Sequence, residues 1–515
     1  EKRNIALEIP VWDPSICIDC AMCAFVCPHA AIRIKPYTPE VLATAPATFQ
    51  SKESRGKEFE GYRLTVQVAP DDCTGCGVCV EVCPAKSKEA VKHRAINMAP
   101  KMEHLEAERK NYEFFLSIPD YDRTKVKIET VKGTQMLRPL FEYSGACAGC
   151  GETPYVKLMT QLFGDRQVIG NATGCSSIYG GNLPTTPYAI DANGRGPTWN
   201  NSLFEDAAEF GLGFRLALDQ TRMYVENMLR ALAGQVGDDL VTALIQSPQQ
   251  NEAEIAAQRQ RVATLVSKLQ ALGTPEALQL AALASNLVVR SVWILGGDGW
   301  AYDIGFGGLD HVLTTQRDVN ILVLDTGVYS NTGGQASKAT PRGAVAKFAA
   351  SGKPSRKKDL GMIAVAYGNV YVAQVALGAN PAQAVKAFRE AESYPGVSLI
   401  LAYAQCVAHG VNMTTGVAHQ KEAVQCGFWP LYRYDPRDAH EGGAPFKLDS
   451  RKPSSPFKDF AMQEARFAML TRSNPKRAEQ LFELAQRDID DQWHYYEQMA
   501  GVKRDIVDEM DEVEA

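Results

Sequence analysis

Residues 291–327 read SVWILGGDGWAYDIGFGGLDHVLTTQRDVNILVLDTG, and this stretch decides the fold of most of the chain. The apolar run Leu287–Leu295 leads into Gly297-Asp298-Gly299, and a second run, Asn320–Leu324, leads into Asp325-Thr326-Gly327. The interval suits a strand, a helix and the adjacent strand, the crossover that makes neighbouring strands parallel. Further apolar runs with β-branched residues, Gln167–Gly170, Met362–Ala366 and Val397–Ala402, predict more strands. Helical signals lie between and after them. Asn380-Pro381 has the cap-and-first-turn pattern before Ala382–Glu392, and Asn474-Pro475 repeats it before a helix reaching about Met499. Phe204–Leu232 and Glu252–Leu272 show helical spacing and predict a helical region between two strands. Alternating strands and helices specify an α/β domain with a mostly parallel sheet covered on both faces.

In open sheets of this kind, ligands bind beyond the carboxyl ends of the strands. Four predicted strands deliver Cys175, Gly297-Asp298-Gly299, Thr326 and Cys406 to that edge. Asp298 offers a carboxylate and Thr326 a hydroxyl to a hard divalent ion, with a backbone carbonyl completing that side. The glycines let phosphate oxygens approach backbone N–H groups, and the following helix adds a favourable N-terminus. This is the logic of a thiamine diphosphate site, in which a metal bridges diphosphate to protein. A Gly-Asp-Gly turn alone carries little; its place between the two strands raises it. No P-loop with its Lys is present, and Gly305-x-Gly307-Gly308 has the wrong spacing and place for a dinucleotide fingerprint.

Before this domain the chain carries a different signal. Eight of its 13 cysteines fall in two identical runs, Cys17-x2-Cys20-x2-Cys23-x3-Cys27-Pro28 and Cys73-x2-Cys76-x2-Cys79-x3-Cys83-Pro84. Three Cys at intervals of three wrap three corners of a cubane, and the fourth ligates the other cluster in two-cluster ferredoxins. One [4Fe–4S] cluster is therefore assigned to Cys17, Cys20, Cys23 and Cys83, and a second to Cys73, Cys76, Cys79 and Cys27. Zinc sites favour two separated Cys-x2-Cys pairs instead. Phe25, Val26, Val80 and Val82 are expected to screen the clusters, His29 to lie at the surface, and 35–61 to form an elaborated loop of the same domain. The expected organisation is a small α+β two-[4Fe-4S] ferredoxin-like domain at 1–118, the α/β domain at 119–500, and an acidic tail at 501–515.

Composition narrows the class. The net charge of −6 over 515 residues argues against nucleic acid as a partner. The uncharged stretch Gly361–Val385 is broken by Gly368, Asn369, Gly378, Asn380 and Pro381, so strand, turn and helix suit it better than a membrane span. Without a signal peptide the cysteines suit a reducing, cytoplasmic setting. The chain opens at Glu1 without Met, and a fragment or processed product is expected.

The runs 296–305 and 325–335, with Cys147-Ala148-Gly149-Cys150-Gly151-Glu152-Thr153-Pro154-Tyr155 and Asn171-Ala172-Thr173-Gly174-Cys175-Ser176-Ser177-Ile178-Tyr179, together resemble pyruvate:ferredoxin (flavodoxin) oxidoreductase over essentially the whole chain. The resemblance implies a third [4Fe–4S] cluster on Cys147, Cys150, Cys175 and Cys406, a set that spacing alone does not join. Cys426 is left over, as an inert core thiol. It further implies that Asp298, Thr326 and the Val328 carbonyl bind Mg²⁺, and that Glu152, Cys175, Gly297, Asp298, Gly299, Trp300, Thr326, Gly327, Val328, Tyr329, Ser330 and Asn331 line the cofactor. Asn331 would face and orient the substrate as the catalytic residue. Asn is common in other thiamine enzymes where Thr326 stands; the pyruvate family has Thr, which favours pyruvate.

The implied reaction converts pyruvate and coenzyme A to acetyl-CoA, CO₂ and two low-potential electrons, which pass through three clusters to ferredoxin or flavodoxin. Two readings stand beside it: a sister enzyme for another 2-oxo acid, and a non-catalytic electron-transfer module. No second α/β unit is visible to supply the Glu that activates thiamine diphosphate. N-terminal domains outside 1–515 are therefore expected to carry that Glu, further pyruvate contacts and the coenzyme A site, in a homodimeric enzyme.

Overall fold

The computed structural model describes residues 3–181, 185–202, 205–440 and 442–504. In the first 118 residues β1 (Glu8–Trp12) pairs antiparallel with β5 (Ile96–Pro100). A second small sheet sets β2 (Ile32–Tyr37) and β3 (Lys52–Glu53) on either side of β4 (Arg63–Val68). Each cysteine run ends in a single-turn helix, α1 (Met22–Phe25) or α2 (Val78–Glu81). Both helices are entered through a left-handed residue, Ala21 at φ 62° and Gly77 at φ 74°, which bends the loop into a cup before the third Cys. Helix α3 (Lys101–Ser117) leads out of this region. Residues 35–61 take little regular structure beyond the end of β2, two 3₁₀ turns and the two-residue β3.

The remainder is built on one eight-stranded sheet: β6 (Gln167–Asn171), β7 (Thr198–Asn201), β8 (Ser291–Gly297), β9 (Val319–Asp325), β10 (Tyr371–Val375), β11 (Val397–Tyr403), β12 (Tyr432–Tyr434) and β13 (Phe446–Leu448). Its order is β13-β12-β10-β11-β9-β8-β6-β7. The strands from β10 to β7 run parallel, and β12 and β13 close one edge antiparallel. The mostly parallel sheet is as the sequence predicts. Helix α4 (Thr153–Phe163) is buried along its whole length, its polar stripe of Thr153, Lys157, Thr160 and Gln161 included. Helix α5 (Cys175–Gly180) follows β6, and α6 (Ala207–Ala231), α7 (Glu252–Leu272) and α8 (Pro275–Leu283) fill the interval before β8. Val225, Leu229, Leu265, Leu269 and Leu280 give these helices a hydrophobic core of their own.

Two expectations need correction. Met362–Ala366 is not a strand: it lies in helix α9 (Leu360–Ala366), and the strand is β10, five residues on. A short apolar run has no period that separates helix from strand; here the Asp359 carboxylate accepts from the Met362 amide and caps the helix. The uncharged stretch thus reads helix, strand, helix, ending in α10 (Pro381–Ser393). His29 is not at the surface either. It is 2% exposed, with Nδ1 3.1 Å from the Ser144 carbonyl, because the chain after residue 118 folds back over the first cysteine run. The two Asn-Pro starts are as expected, Asn380 and Asn474 each accepting a hydrogen bond from the third helical residue. Phe25 and Val26 are buried, and Val80 and Val82 half-buried. Phe204 and the acidic stretch 505–514 lie outside the described residues. Among the described residues no helix is long and apolar enough to cross a membrane.

Candidate functional site

Strands β6, β8, β9 and β11 are consecutive in the sheet order β11-β9-β8-β6, so the four predicted edge positions are neighbours. Asp298, directly after β8, is 1% exposed. The backbone N–H and the hydroxyl of Thr326, directly after β9, each lie 3.0 Å from Asp298 Oδ1. The same hydroxyl is 3.0 Å from the Val328 carbonyl oxygen. A carboxylate, a hydroxyl and a carbonyl thus converge from two adjacent strand ends, a donor set suited to Mg²⁺. Burial, with the Asp325 charge beside it, pushes the Asp298 carboxyl up to about 7. A bound cation would reverse that, and Lys357 already pairs with Asp325 at 2.7 Å.

Glu152 stands at the start of α4, 4% exposed, its carboxyl raised to about 7 chiefly by burial and further by Asp298. Among the described residues its Oε2 meets no hydrogen-bond partner at bonding geometry, though the Tyr179 hydroxyl is near enough to favour the carboxylate, and such a group can take a ligand donor. At Gly297 a β-carbon would meet nothing nearer than the Leu324 carbonyl at 4.0 Å, so the turn keeps open space beside its backbone. Gly327 holds φ +67°, which lets the chain reverse after Thr326. The Tyr329 hydroxyl donates to the Gly299 carbonyl at 3.2 Å, tying the second loop to the first. Trp300 is buried, its indole N–H donating to the Glu205 carbonyl. Asn331 is exposed in the loop that follows Ser330. These residues fit thiamine diphosphate with its metal.

The Cys147–Cys150 loop docks on the Cys406 loop, the Gly151 amide donating to the Gln405 carbonyl at 3.2 Å. Cys175 Sγ lies 3.3 Å from Ser330 Oγ. Burial first, then Glu152 and the other thiols, raises Cys175 and Cys406 to about 12, Cys147 contributing to both. Cys150 is raised as well, with Cys406 among the causes. These contacts and mutual charge effects bring the four cysteines named by resemblance near one another, Cys175 against the cofactor loop. In the N-terminal region two small cavities divide the eight cysteines. One is lined by Cys17, Cys20, Cys23 and Cys83, the other by Cys27, Cys73, Cys76 and Cys79. These are the crossed quartets that the fourth-Cys rule assigns. Among the described residues no three His, Cys, Asp or Glu are set to hold a single metal ion; a cubane asks for a wider cage. Cys426 is fully buried and donates to the Ala423 carbonyl.

Comparison with known proteins bears directly on this arrangement. The 4Fe-4S dicluster domain family matches residues 16–87, and the C-terminal TPP binding domain of thiamine pyrophosphate enzymes matches 260–402. Over 97% of its length the chain is 57% identical to pyruvate-flavodoxin oxidoreductase of Trichormus variabilis and 55% identical to that of Nostoc sp.. It is 48% identical to pyruvate:ferredoxin oxidoreductase of Moorella thermoacetica, also over 97% of its length. The resemblance to this family stands. The chain spans 42% of the first two relatives and 43% of the third.

Sequence reasoning missed the support behind Thr326. His409 is fully buried and its Nε2 donates to the Thr326 carbonyl at 2.6 Å. The Cys406 amide donates to its Nδ1 at 3.4 Å, which fixes the neutral tautomer. Burial, with Arg466 beside it, holds the ring down to about 3. Glu464 takes Arg466 at 2.5 Å and His419 at 2.8 Å in the same buried network. The spacing Cys406-x2-His409 was the one available signal, and it says nothing about a partner 83 residues away.

Proposed function

We propose that this chain is the electron-transfer and diphosphate-binding part of an enzyme that oxidises pyruvate with coenzyme A to acetyl-CoA and CO₂, passing electrons to ferredoxin or flavodoxin. The observation that carries the reading is the convergence of Asp298, Thr326 and the Val328 carbonyl beside a fourfold cysteine site. Asp298, Thr326 and Val328 would hold Mg²⁺ and through it the diphosphate, with Gly297, Gly299, Trp300, Gly327, Tyr329 and Ser330 forming the walls. Bound thiamine diphosphate would supply the electron sink for decarboxylation. Glu152, raised by its burial, would offer a hydrogen-bonding carboxyl whose free oxygen points to a ligand polar group. Asn331 would orient the substrate from the loop tip.

Cys147, Cys150, Cys175 and Cys406 would hold the cluster next to the cofactor. The quartets Cys73, Cys76, Cys79, Cys27 and Cys17, Cys20, Cys23, Cys83 would hold the two beyond it, toward the acceptor protein. Thr414 supports that order: its hydroxyl donates to the Cys76 carbonyl at 2.9 Å, and Met413 packs against Gly149. Residues beyond this chain would provide the opposite cofactor wall and the coenzyme A site, in a cytoplasmic homodimer. The test is anaerobic purification of this chain and of a polypeptide of its relatives' full length. Both should contain about twelve iron atoms per chain, and only the longer should reduce methyl viologen with pyruvate and coenzyme A. Dye reduction by the present chain alone would refute the divided site, and eight irons in both would refute the third cluster.

A further inference from the structure

The two cysteine runs share a feature beyond their spacing. Lys157, on α4, donates from Nζ to the carbonyls of Ala24, Phe25 and Cys27, the last two at 2.9 and 3.2 Å. Arg94 donates from Nη1 to the carbonyls of Val80, Glu81 and Cys83, at 2.6, 2.5 and 3.2 Å. Counted from the third cysteine of each run, these are the same three carbonyls. Each cation therefore closes the last turn of α1 or α2 and grips the cysteine that crosses to the other quartet.

Their surroundings differ. The Arg94 side chain is 20% exposed and has Glu81 at 3.7 Å as a counter-charge. Lys157 is 2% exposed, and among the described residues no carboxylate forms an ion pair with it. A cation buried without an anion is costly, and carbonyl dipoles cannot cancel its charge. Its contacts set it between the quartets: it holds the carbonyl of Cys27, of one quartet, and that of Ala24, next to Cys23 of the other, and Cys27 and Cys23 are the thiols whose charge it feels. A cubane ligated by four thiolates is a net anion, and more so after taking up one electron.

We propose that Lys157 is the buried counter-cation of the cluster pair, a positioning residue lent by the sheet region that holds the Cys23–Cys27 run and raises both clusters' reduction potentials. Arg94 clasps the matching run, but solvent and Glu81 screen its charge. The proposal rests on the reading that the two crossed quartets hold clusters. Helix α4 then links two stages of the electron route: Glu152 is its N-cap residue, just after Cys150, and its second turn sets the potential of the next carriers.

The test is an EPR-monitored redox titration of the anaerobically purified holoprotein, with iron and sulfide measured first. In Lys157→Met the reduced-to-oxidised ratio of the dicluster signals at fixed potential should fall at least tenfold, about 59 mV for a one-electron couple. Lys157→Arg should restore it, and Arg94→Met should move it less than about fivefold, as for an exposed charge. Equal shifts in Lys157→Met and Arg94→Met, or full iron with unmoved potentials, would overturn the proposal. Should Lys157→Met lose iron, Lys157→Gln, which keeps a donor without the charge, replaces it: a tenfold fall supports the proposal and an unchanged ratio overturns it. A protein with an unaltered Lys157 that keeps all its iron when Cys20 and Cys76 are changed to Ser would overturn the cluster reading itself, and the proposal with it.

Discussion

On the proposed reading, the dicluster region and the sheet region solve the same problem, gathering ligands around a cofactor, by opposite means. In the first, three of four proposed ligands come from one seven-residue stretch, Cys17–Cys23 or Cys73–Cys79, and the pattern is used twice. In the second, Asp298, Thr326, Cys175 and Cys406 come from four strand ends spread over 232 residues, Cys175 to Cys406. A loop ligand set is fixed by spacing and survives wherever the loop is placed. A strand-end set exists only while β6, β8, β9 and β11 keep their order. Damage should therefore stay local in the first region and spread through shared supports in the second.

The largest effect that sharpens this contrast is loss of a whole cluster. Cys406→Ser should remove about four of about twelve irons and leave the dicluster EPR signals intact. Iron loss from the dicluster as well would show that the two regions do not assemble independently. Next comes Asp298→Ala, which should weaken Mg²⁺-dependent thiamine diphosphate binding by more than about 100-fold, measured by calorimetry, with iron content unchanged. Asp298 is the carboxylate in contact with the Thr326 hydroxyl, so an unaltered affinity would put the metal elsewhere.

Legibility in the sequence follows the same division. The crossed quartets, with Cys27 and Cys83 exchanged, could be proposed because the ligand rule is local and the run is repeated, and the two cavity linings match that proposal. The sheet was readable because β8 and β9 are apolar throughout and end in glycine-rich turns. Asp298 and Thr326 were readable from their places after those strands. The third quartet was not, since nothing in a single sequence ties Cys147 to Cys406; resemblance supplied it. Helix α9 was misread because seven apolar residues have too short a period to show. His409, Glu464 and Lys157 were invisible for one reason: each acts on a backbone carbonyl or a charge far along the chain, and carbonyls leave no mark on composition. His29 was misplaced for the same cause, its cover coming from Ser144.

A smaller effect tests the shared-support side. His409→Ala removes the donor to the Thr326 carbonyl and should lower thiamine diphosphate affinity about tenfold to 100-fold, through a residue that is not itself a proposed ligand. Retained affinity would show that Thr326 is held by the strand alone.

A last effect, seen only in the pH dependence of stability, lies at the other end of the sheet, away from the proposed cofactor site. Glu392 on α10 is half-buried, its Oε2 accepting from Ser291 Oγ at 2.6 Å, Trp293 Nε1 at 3.2 Å and Asn320 Nδ2 at 3.3 Å. Burial raises its carboxyl from 4.5 to about 7, against the lowering effect of Arg166. Between those values the folded chain binds more protons than the unfolded one, so stability falls as pH rises through that window. The contribution is present below about pH 4.5 and lost above about pH 7, on the order of 3 kcal/mol at most. Glu392→Gln keeps hydrogen bonds but does not titrate. Urea midpoints at pH 5 and pH 8 should therefore differ more for the native chain than for the variant. Equal differences would mean that the Arg166 guanidinium, 4.0 Å away, keeps Glu392 ionised throughout, and that this end of the sheet is held by an ion pair rather than by a neutral carboxyl.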